Sequence, residues 1–227
     1  MSRINIATYN IWKDDGDFPN RIYNLSNELK NNKFDIICLQ EDYNSKDFSS
    51  SRFLNIELDF NYISTSTRTK IRNGKNSSSN LTVLSKYDTK LLQEIYFDKD
   101  GPQERAFQII EVKIKNKKVL VVNTHLSHIN SKTRYNQMQL ILTHLRNYNE
   151  YDITFLCGDF NAQPNSKEIK LIREMGFKDK NIQQSHEHGI IIDYIFYKTK
   201  NTPQSIKSKI ILKEYSDHYC LINSFRI

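Results

Sequence analysis

Short apolar runs recur along the chain at the spacing of β-strands, separated by polar segments. Several of these runs, such as KVLVVNTH and DITFLCG, are apolar at consecutive positions, which is typical of strands in a sheet covered on both faces. The pattern predicts eight strands: Arg3–Ile11, Asp35–Gln40, Asn80–Ser85, Ala106–Ile114, Val119–Thr124, Ile153–Cys157, Ile190–Tyr197 and His218–Phe225.

Three longer stretches show the apolar spacing of a helix. RIYNLSNELKNN follows Pro19, a second stretch opens at Ser131, and SKEIKLIREMGF ends at Gly176. Because strands alternate with covering helices, the fold class is predicted to be layered α/β. No internal repeat and no linker rich in Pro, Gly or Ser divides the chain, so we expect residues 1–227 to form a single domain.

One segment differs from the rest in being polar and basic. Ser64–Asn80 is rich in Ser, Thr and Asn and contains no acidic residue. This composition predicts a long mobile loop. Its cations predict contact with a polyanion, and they are Arg68, Lys70, Arg72 and Lys75.

Composition sets the broad class of protein. The formal net charge is +7 over 227 residues, which admits nucleic acid, phosphorylated substrates or anionic lipid as partners. The three cysteines, Cys38, Cys157 and Cys220, lie in apolar runs without paired spacing, so they are predicted to be buried free thiols.

The distribution of apolar residues also bears on location. The first strand-like run starts at Arg3, and no apolar run approaches the roughly 18–20 residues that cross a bilayer. We therefore expect a cytoplasmic monomer without a signal peptide or transmembrane segment.

Polar side chains that can take part in catalysis or bind a ligand lie at the ends of the predicted apolar strands. GDFN alone is typical of a turn, because Gly, Asp and Asn are all turn formers. In layered α/β folds, however, binding and catalytic groups gather at strand ends. Seven such groups in one chain point to a site: Asn10, Glu41, His125, Asp159, Asn161, Asp193 and the pair Asp217–His218.

Three of these side chains suit a metal ion. Glu41, with Asn10 and Asp217, offers hard oxygen ligands of the kind that Mg²⁺ or Mn²⁺ prefers. The sequence therefore predicts a Mg²⁺ cofactor, with Mn²⁺ as a possible replacement.

The other side chains suit the attack of water on phosphorus. Asp159 can orient or deprotonate the water, and Asn161 can donate to a nonbridging oxygen. His125 and His218 can hold the phosphate, while Asp193 can fix the tautomer of His218.

The chain resembles the endonuclease/exonuclease/phosphatase superfamily in the stretches TYNIW, LQED, VVNTHLSH, GDFNAQP, IIDYIF and SDHYCL, which occur in family order. The resemblance implies a four-layer α/β sandwich, with two mostly antiparallel sheets face to face and helices outside. It also implies one metal–phosphate site around the residues named above, and a phosphate-gripping role for Arg105.

The resemblance leaves the substrate open. NTHLSH is similar to deoxyribonucleases, tyrosyl-DNA phosphodiesterases, sphingomyelinases and sugar or inositol phosphatases, and it differs from the Tyr-x-Pro-Asn motif of apurinic-site endonucleases. The positive charge favours a Mg²⁺-dependent phosphodiesterase acting on nucleic acid. The alternatives are a sugar or inositol phosphatase and a sphingomyelinase-like lipid phosphodiesterase; a catalytically dead binding module is disfavoured because all seven groups are present.

Overall fold

The computed structural model describes residues 3–72, 74–98, 104–180 and 183–226, whose strands form two sheets. The strands are β1 (Arg3–Asn10), β2 (Ile36–Ser45), β3 (Asn61–Arg72), β4 (Lys75–Ser85), β5 (Thr89–Tyr96), β6 (Ala106–Ile114), β7 (Lys117–His125), β8 (Ile153–Asp159), β9 (Asp193–Thr199), β10 (Ser205–Ile211) and β11 (Cys220–Arg226). The α-helices are α1 (Asn20–Leu29), α2 (Ser50–Leu54), α3 (Ser131–Leu145) and α4 (Lys167–Glu174).

Both sheets are mixed but mostly antiparallel. The six-stranded sheet has the order β10-β11-β1-β2-β4-β3, and the five-stranded sheet has the order β5-β6-β7-β8-β9. β1 pairs in parallel with β2, and β7 with β8, whereas the other neighbours are antiparallel. The parallel pairs bring the C-terminal ends of four strands to one edge of the sandwich.

Alternation along the strands creates three apolar layers. Ile4 and Ile6 of β1 pack in the same buried cluster as Phe155 and Cys157 of β8, between the two sheets. A second cluster joins the outer face of the six-stranded sheet to α1 and α2, and a third joins the outer face of the other sheet to α3 and α4. The predicted four-layer sandwich is confirmed.

The eight predicted strands and three predicted helices are present, with ends shifted by a few residues. β3, β5, β10 and the one-turn α2 were not predicted. β3, β5 and β10 lie at the edges of their sheets, and most of their residues are exposed or half-buried. Polar side chains are therefore tolerated there, and the apolar pattern that reveals a central strand is missing.

The prediction of a mobile loop at Ser64–Asn80 is wrong, because this segment forms most of the β3–β4 hairpin. Arg72 pairs with Lys75, and the sequence between them is Asn-Gly, a strong signal for a two-residue hairpin turn. Gly74 has a φ of +74°, a conformation that favours glycine. The abundance of Ser and Thr is compatible with an exposed strand as well as with a loop.

The cysteines and the helices bear on the predictions made from composition and from the apolar runs. Cys38, Cys157 and Cys220 are buried free thiols, as predicted. Across the described ranges, the helices are too short or too polar to cross a membrane.

Candidate active site

Strand register brings three of the predicted residues side by side at the edge of the five-stranded sheet. His125 ends β7, Asp159 ends β8 and Asp193 begins β9, and Asp159 is the register partner of both others. Asp159 shares a face with the inward-pointing Cys157, just as Asn10 shares a face with Ile6 on β1. The two sheets therefore present Asn10 and Asp159 to each other.

Gly158 permits this close arrangement. A Cβ atom at this position would lie 2.0 Å from the carbonyl oxygen of Thr124 on β7, and its φ is +150°. Only glycine fits such an approach. The Gly of GDFN is thus required by the spacing between β7 and β8.

Asp159 is the centre of the site. Its Oδ2 accepts a hydrogen bond of 3.0 Å from Asn10 Nδ2, and lies 3.2 Å from His125 Nε2 and 3.6 Å from His218 Nε2. Its Oδ1 accepts from the backbone N–H of Asn161 at 2.9 Å. Four of the predicted site residues therefore converge on one buried carboxylate.

This surrounding sets the charge of Asp159. Burial alone would raise the pKa of its carboxyl, but His125 and His218 beside it lower the pKa well below its ordinary value. Asp159 is therefore a stable carboxylate and a weak base.

His218 lies between two carboxylates. Its Nδ1 is 2.9 Å from Asp193 Oδ2, with its other ring nitrogen toward Asp159. Burial opposes the charged form, yet Asp193 and Asp159 raise the pKa of His218 to about 10, while burial raises the pKa of Asp193 to about 6. Because His218 has the higher pKa, the shared proton resides on its ring, and the pair is imidazolium and carboxylate at neutral pH.

Removing the charge of Asp193 tests this assignment. In Asp193→Asn, the pKa of His218 should fall toward its ordinary value, because one of two stabilising carboxylates is lost. An NMR pH titration of ¹⁵N-histidine-labelled, metal-free protein measures the shift. His144, on α3 and bonded to Gln93 rather than to a carboxylate, is the internal control. An unchanged pKa of His218 would contradict the assignment.

His125 differs from His218 in its protonation. Burial and the nearby Arg105 lower the pKa of His125, so its ring is neutral at neutral pH. The geometry makes its Nε2–H a donor to Asp159. The site thus combines one neutral and one cationic imidazole.

Asn161 is held in an uncommon conformation beside Asp159. Its φ is +49°, and its side-chain Nδ2 donates to the carbonyl oxygen of Leu126 at 3.0 Å. Within the described ranges the second hydrogen on Nδ2 has no acceptor, so it can serve a ligand. The predicted contact of Asn161 with a phosphate oxygen stays a prediction.

Glu41 is directed to the site by a β-bulge. The register between β2 and β4 shifts between Leu39 and Asp42, and Glu41 has a φ of +52°. Bulges re-aim a side chain next to active sites. The carboxylate of Glu41 forms an ion pair with the buried Lys13, whose Nζ also lies 3.1 Å from Asp15 Oδ2.

The residues at this end fit a hard divalent cation. Burial alone would raise the pKa of Glu41, but His125 and Lys13 lower it, so the carboxylate is charged. The Lys13 ammonium shows that this carboxylate accommodates a cation. Asp217, which interacts electrostatically with Glu41, offers a second carboxylate, and oxygen donors of this kind suit Mg²⁺ or Mn²⁺.

Two other groups have ligand atoms within 4.8 Å of one another in the described residues: one is His186, Asp217 and His218, and the other Asp159, Asp193 and His218. In the second group, His218 is hydrogen-bonded to Asp193 and lies 3.6 Å from Asp159, so both of its ring nitrogens already face carboxylates. In the first, His186 Nδ1 accepts from the backbone of His188, which leaves hydrogen on Nε2 and disfavours metal binding there.

Two contributors, Lys13 and His186, were not predicted from the sequence. Lys13 pairs with Glu41, and the His186 ring packs edge-on against His218 at a centroid distance of 4.6 Å. Arg68, one of the cations predicted to contact a polyanion, occupies the β3–β4 bulge and interacts electrostatically with Arg105, which is 9% exposed. No sequence signal distinguishes Lys13 or a bulge.

The model of the Endonuclease/Exonuclease/phosphatase family matches residues 7–218, which include all the residues of the site. The chain belongs to this family. Members are phosphoric ester hydrolases that typically use a divalent metal, so the chain is a phosphoric ester hydrolase.

Solved structures agree on the fold. A family protein from Leptotrichia buccalis C-1013-b superposes with a TM-score of 0.79 at 18% identity, covering 99% of this chain and 100% of that one. The mannosyl-6-phosphatase Bt3783 of Bacteroides thetaiotaomicron VPI-5482 gives 0.75 at 15% identity, with 99% and 100% covered.

TDP2 from Caenorhabditis elegans gives a TM-score of 0.73 at 19% identity, with 100% of this chain and 75% of that chain covered. At such identities these likenesses establish the family fold and leave the substrate open. Comparison with curated protein sequences gives no match.

Proposed function

We propose that this family member is a Mg²⁺- or Mn²⁺-dependent phosphodiesterase that hydrolyses phosphate esters in nucleic acid. The observation that supports hydrolysis most directly is the convergence of Asn10, His125 and His218 on the Asp159 carboxylate. Single-domain, monomeric and cytoplasmic character, expected from the sequence, stay predictions.

In this proposal Asp159 orients the attacking water. Its low pKa makes it a poor proton acceptor, so orientation and charge are its main contributions. The His218 imidazolium, held by Asp193, donates its Nε2–H toward the phosphate and stabilises the charge that develops on it. The neutral His125 holds Asp159 through its Nε2–H, and its predicted contact with the phosphate stays a prediction. Asn161 is assigned to a nonbridging oxygen.

The metal end of the site is assigned to Glu41, with Asn10 and Asp217. When bound, the cation supplies Lewis-acid polarisation of the phosphoryl group. Asn10 uses Nδ2 on Asp159, and its Oδ1 accepts from the backbone of Trp12 at 3.0 Å. A carbonyl oxygen has a second lone pair, so Asn10 can serve both Asp159 and a cation.

The preference for nucleic acid rests on cations beside this site. Of the four in the hairpin, Arg72 is paired with Asp14 and Lys75 with Asp47. Arg68 has a buried Nε without a hydrogen-bond partner in the described ranges, and Lys70 is exposed. Arg68 and Lys70 are therefore the hairpin cations best placed to meet phosphates.

Alanine at both Arg68 and Lys70 should weaken binding of a DNA oligonucleotide and flatten its salt dependence. Each lost phosphate contact lowers the slope of log K against log[salt] by roughly 0.7–0.9. The measurement is fluorescence anisotropy across a salt series, with the double variant Lys207→Ala/Lys209→Ala, on the opposite edge of the same sheet, as control. Equal slopes for the two double variants would contradict a role of the hairpin in DNA binding.

A second candidate is a phosphatase for a small sugar phosphate. Its support is the buried Arg105 next to Arg68, a cationic pair that suits one phosphate group, together with the fold shared with a mannosyl-6-phosphatase. In this case Arg68→Ala should raise KM for the small substrate and leave DNA affinity unchanged.

A substrate panel distinguishes the candidates. Nicked plasmid, single-stranded DNA, RNA, sphingomyelin, mannose 6-phosphate and p-nitrophenyl phosphate should each be incubated with Mg²⁺ and with EDTA, using Asp159→Ala as the background control. Mg²⁺-dependent cleavage of a nucleic acid supports the proposal. Turnover of a monoester without cleavage of any nucleic acid would transfer the proposal to the phosphatase.

A further inference from the structure

Arg21, the second residue of α1, uses its whole guanidinium group on backbone carbonyls. Its side chain is buried although arginine is seldom buried without a charged partner. Its three nitrogens carry five N–H donors in a rigid fork. They contact the carbonyl oxygens of Asp15 at 2.7 Å, Ile11 at 2.7 Å, Tyr215 at 3.1 Å, Trp12 at 2.6 Å and Lys13 at 2.5 Å.

These carbonyls belong to the two segments that flank the metal end of the site. Residues 11–15 follow Asn10, and Tyr215 precedes Asp217 by two positions. The same loop is joined to β2, because the backbone N–H of Ile11 donates to Gln40 and that of Lys13 donates to Glu41, each at 2.9 Å. One guanidinium thus fixes the spacing of the backbone around all three residues assigned to the metal.

The loop depends on such support. Trp12 and Lys13 have φ values of +55° and +43°, a region that residues with a side chain rarely adopt. Arg21 binds the carbonyls of both, and its guanidinium also lies 5.5 Å from the centroid of the Trp12 ring. Without the fork, these carbonyls would lose their donors and the loop would relax.

We infer that Arg21 is a positioning residue for divalent-cation binding at Glu41 and Asp217. The inference rests on the proposed metal site and adds a residue that does not itself contact a cation. Residues that orient metal ligands typically contribute 10- to 100-fold in affinity.

The direction in which cation affinity changes on replacement of Arg21 distinguishes a positioning role from an effect of its charge. Arg21 interacts electrostatically with Glu41 and Asp217, so its positive charge repels a cation bound there. If charge were its main effect, a neutral replacement would tighten metal binding. Positioning predicts weaker binding, even in Arg21→Lys, where the charge is kept and the fork is lost.

The experiment measures Mn²⁺ affinity by calorimetry and by EPR for wild type, Arg21→Lys and Arg21→Met. Arg173→Lys is the matched control, since Arg173 on α4 also donates to a carbonyl, that of Pro164, outside the site. Thermal unfolding of each metal-free variant establishes the temperature at which all are folded. Should Arg21→Met be unfolded, Arg21→Lys and Arg21→Ala with added methylguanidinium decide the question.

The expected result is a loss of Mn²⁺ affinity of about 10-fold or more in both Arg21 variants, no change in Arg173→Lys, and recovery of affinity in Arg21→Ala with methylguanidinium. Unchanged or tighter Mn²⁺ binding by folded Arg21 variants would overturn the inference and leave the proposed metal site intact. If wild type itself binds no Mn²⁺, the proposed metal site fails, and the inference fails with it.

Discussion

Alanine at either Asp159 or His218 should lower kcat by at least about three orders of magnitude, with little loss of folded protein. Positioned groups that act on a proton or a developing charge each contribute roughly 10²- to 10⁴-fold. The side chains of Asn10, His125 and His218 all contact the Asp159 carboxylate. Loss of that carboxylate therefore also removes the group that holds these three side chains in place. The measurement is kcat on the substrate that the panel identifies.

The double variant distinguishes shared chemistry from independent contributions. Since Asp159 and His218 form a buried ion pair, with 3.6 Å between Oδ2 and Nε2, the double variant should be scarcely slower than the worse single variant. Asp88→Ala and His144→Ala remove the same residue types outside the site, so they serve as controls for the type of substitution and for folding. Losses that multiply across Asp159 and His218 would mean that the two residues act on separate steps.

Much of the site could be predicted because strand ends are visible in the sequence. The apolar run before GDFN leads directly to Asp159, and the run before THLSH leads to His125, so their common edge follows from parallel pairing of β7 and β8. Alternation then places both side chains on the inner face. To predict the contact of Asp159 with Asn10, one must also know that the two sheets face each other. That arrangement was implied by the resemblance to the family.

The unpredicted features depend on backbone geometry that apolar periodicity does not encode. A bulge turns Glu41 toward the site, and another brings Arg68 near Arg105, although neither changes the pattern of apolar residues. Arg21 binds carbonyl groups, which every residue possesses, so its partners leave no trace in residue identity. The charge states of His125 and His218 likewise depend on burial and on neighbours from other strands.

A buried polar layer connects the apolar core to the site. Between the sheets, Gln40 Nε2 donates to Asn123 Oδ1 at 2.8 Å, and Asn123 Nδ2 donates to the carbonyl of Leu39 at 3.0 Å. Gln40 precedes Glu41, and Asn123 precedes His125 by two residues. These directional hydrogen bonds between the sheets therefore fix the distance between Glu41 at the metal end and His125 beside Asp159. Apolar contacts alone would define that distance less strictly.

Glu41→Gln should reduce Mn²⁺ affinity and raise the Mg²⁺ concentration needed for half-maximal activity by orders of magnitude. The substitution keeps the size of the side chain but removes the charge that a hard divalent cation requires. Calorimetry measures Mn²⁺ affinity, and a Mg²⁺ titration of turnover measures the requirement. Wild-type activity should vanish in EDTA and return with excess Mg²⁺, whereas full activity in EDTA would contradict the metal assignment.

Lys13→Met provides the matched variant for Glu41→Gln, because it removes the opposite member of the same buried ion pair. A divalent cation at Glu41 must meet or displace the Lys13 ammonium, so Lys13→Met should tighten Mn²⁺ binding while Glu41→Gln weakens it. A general loss of folding would weaken binding in both variants. Opposite changes would therefore assign the cation to Glu41, whereas unchanged Mn²⁺ affinity in both variants would mean that the cation binds away from this pair.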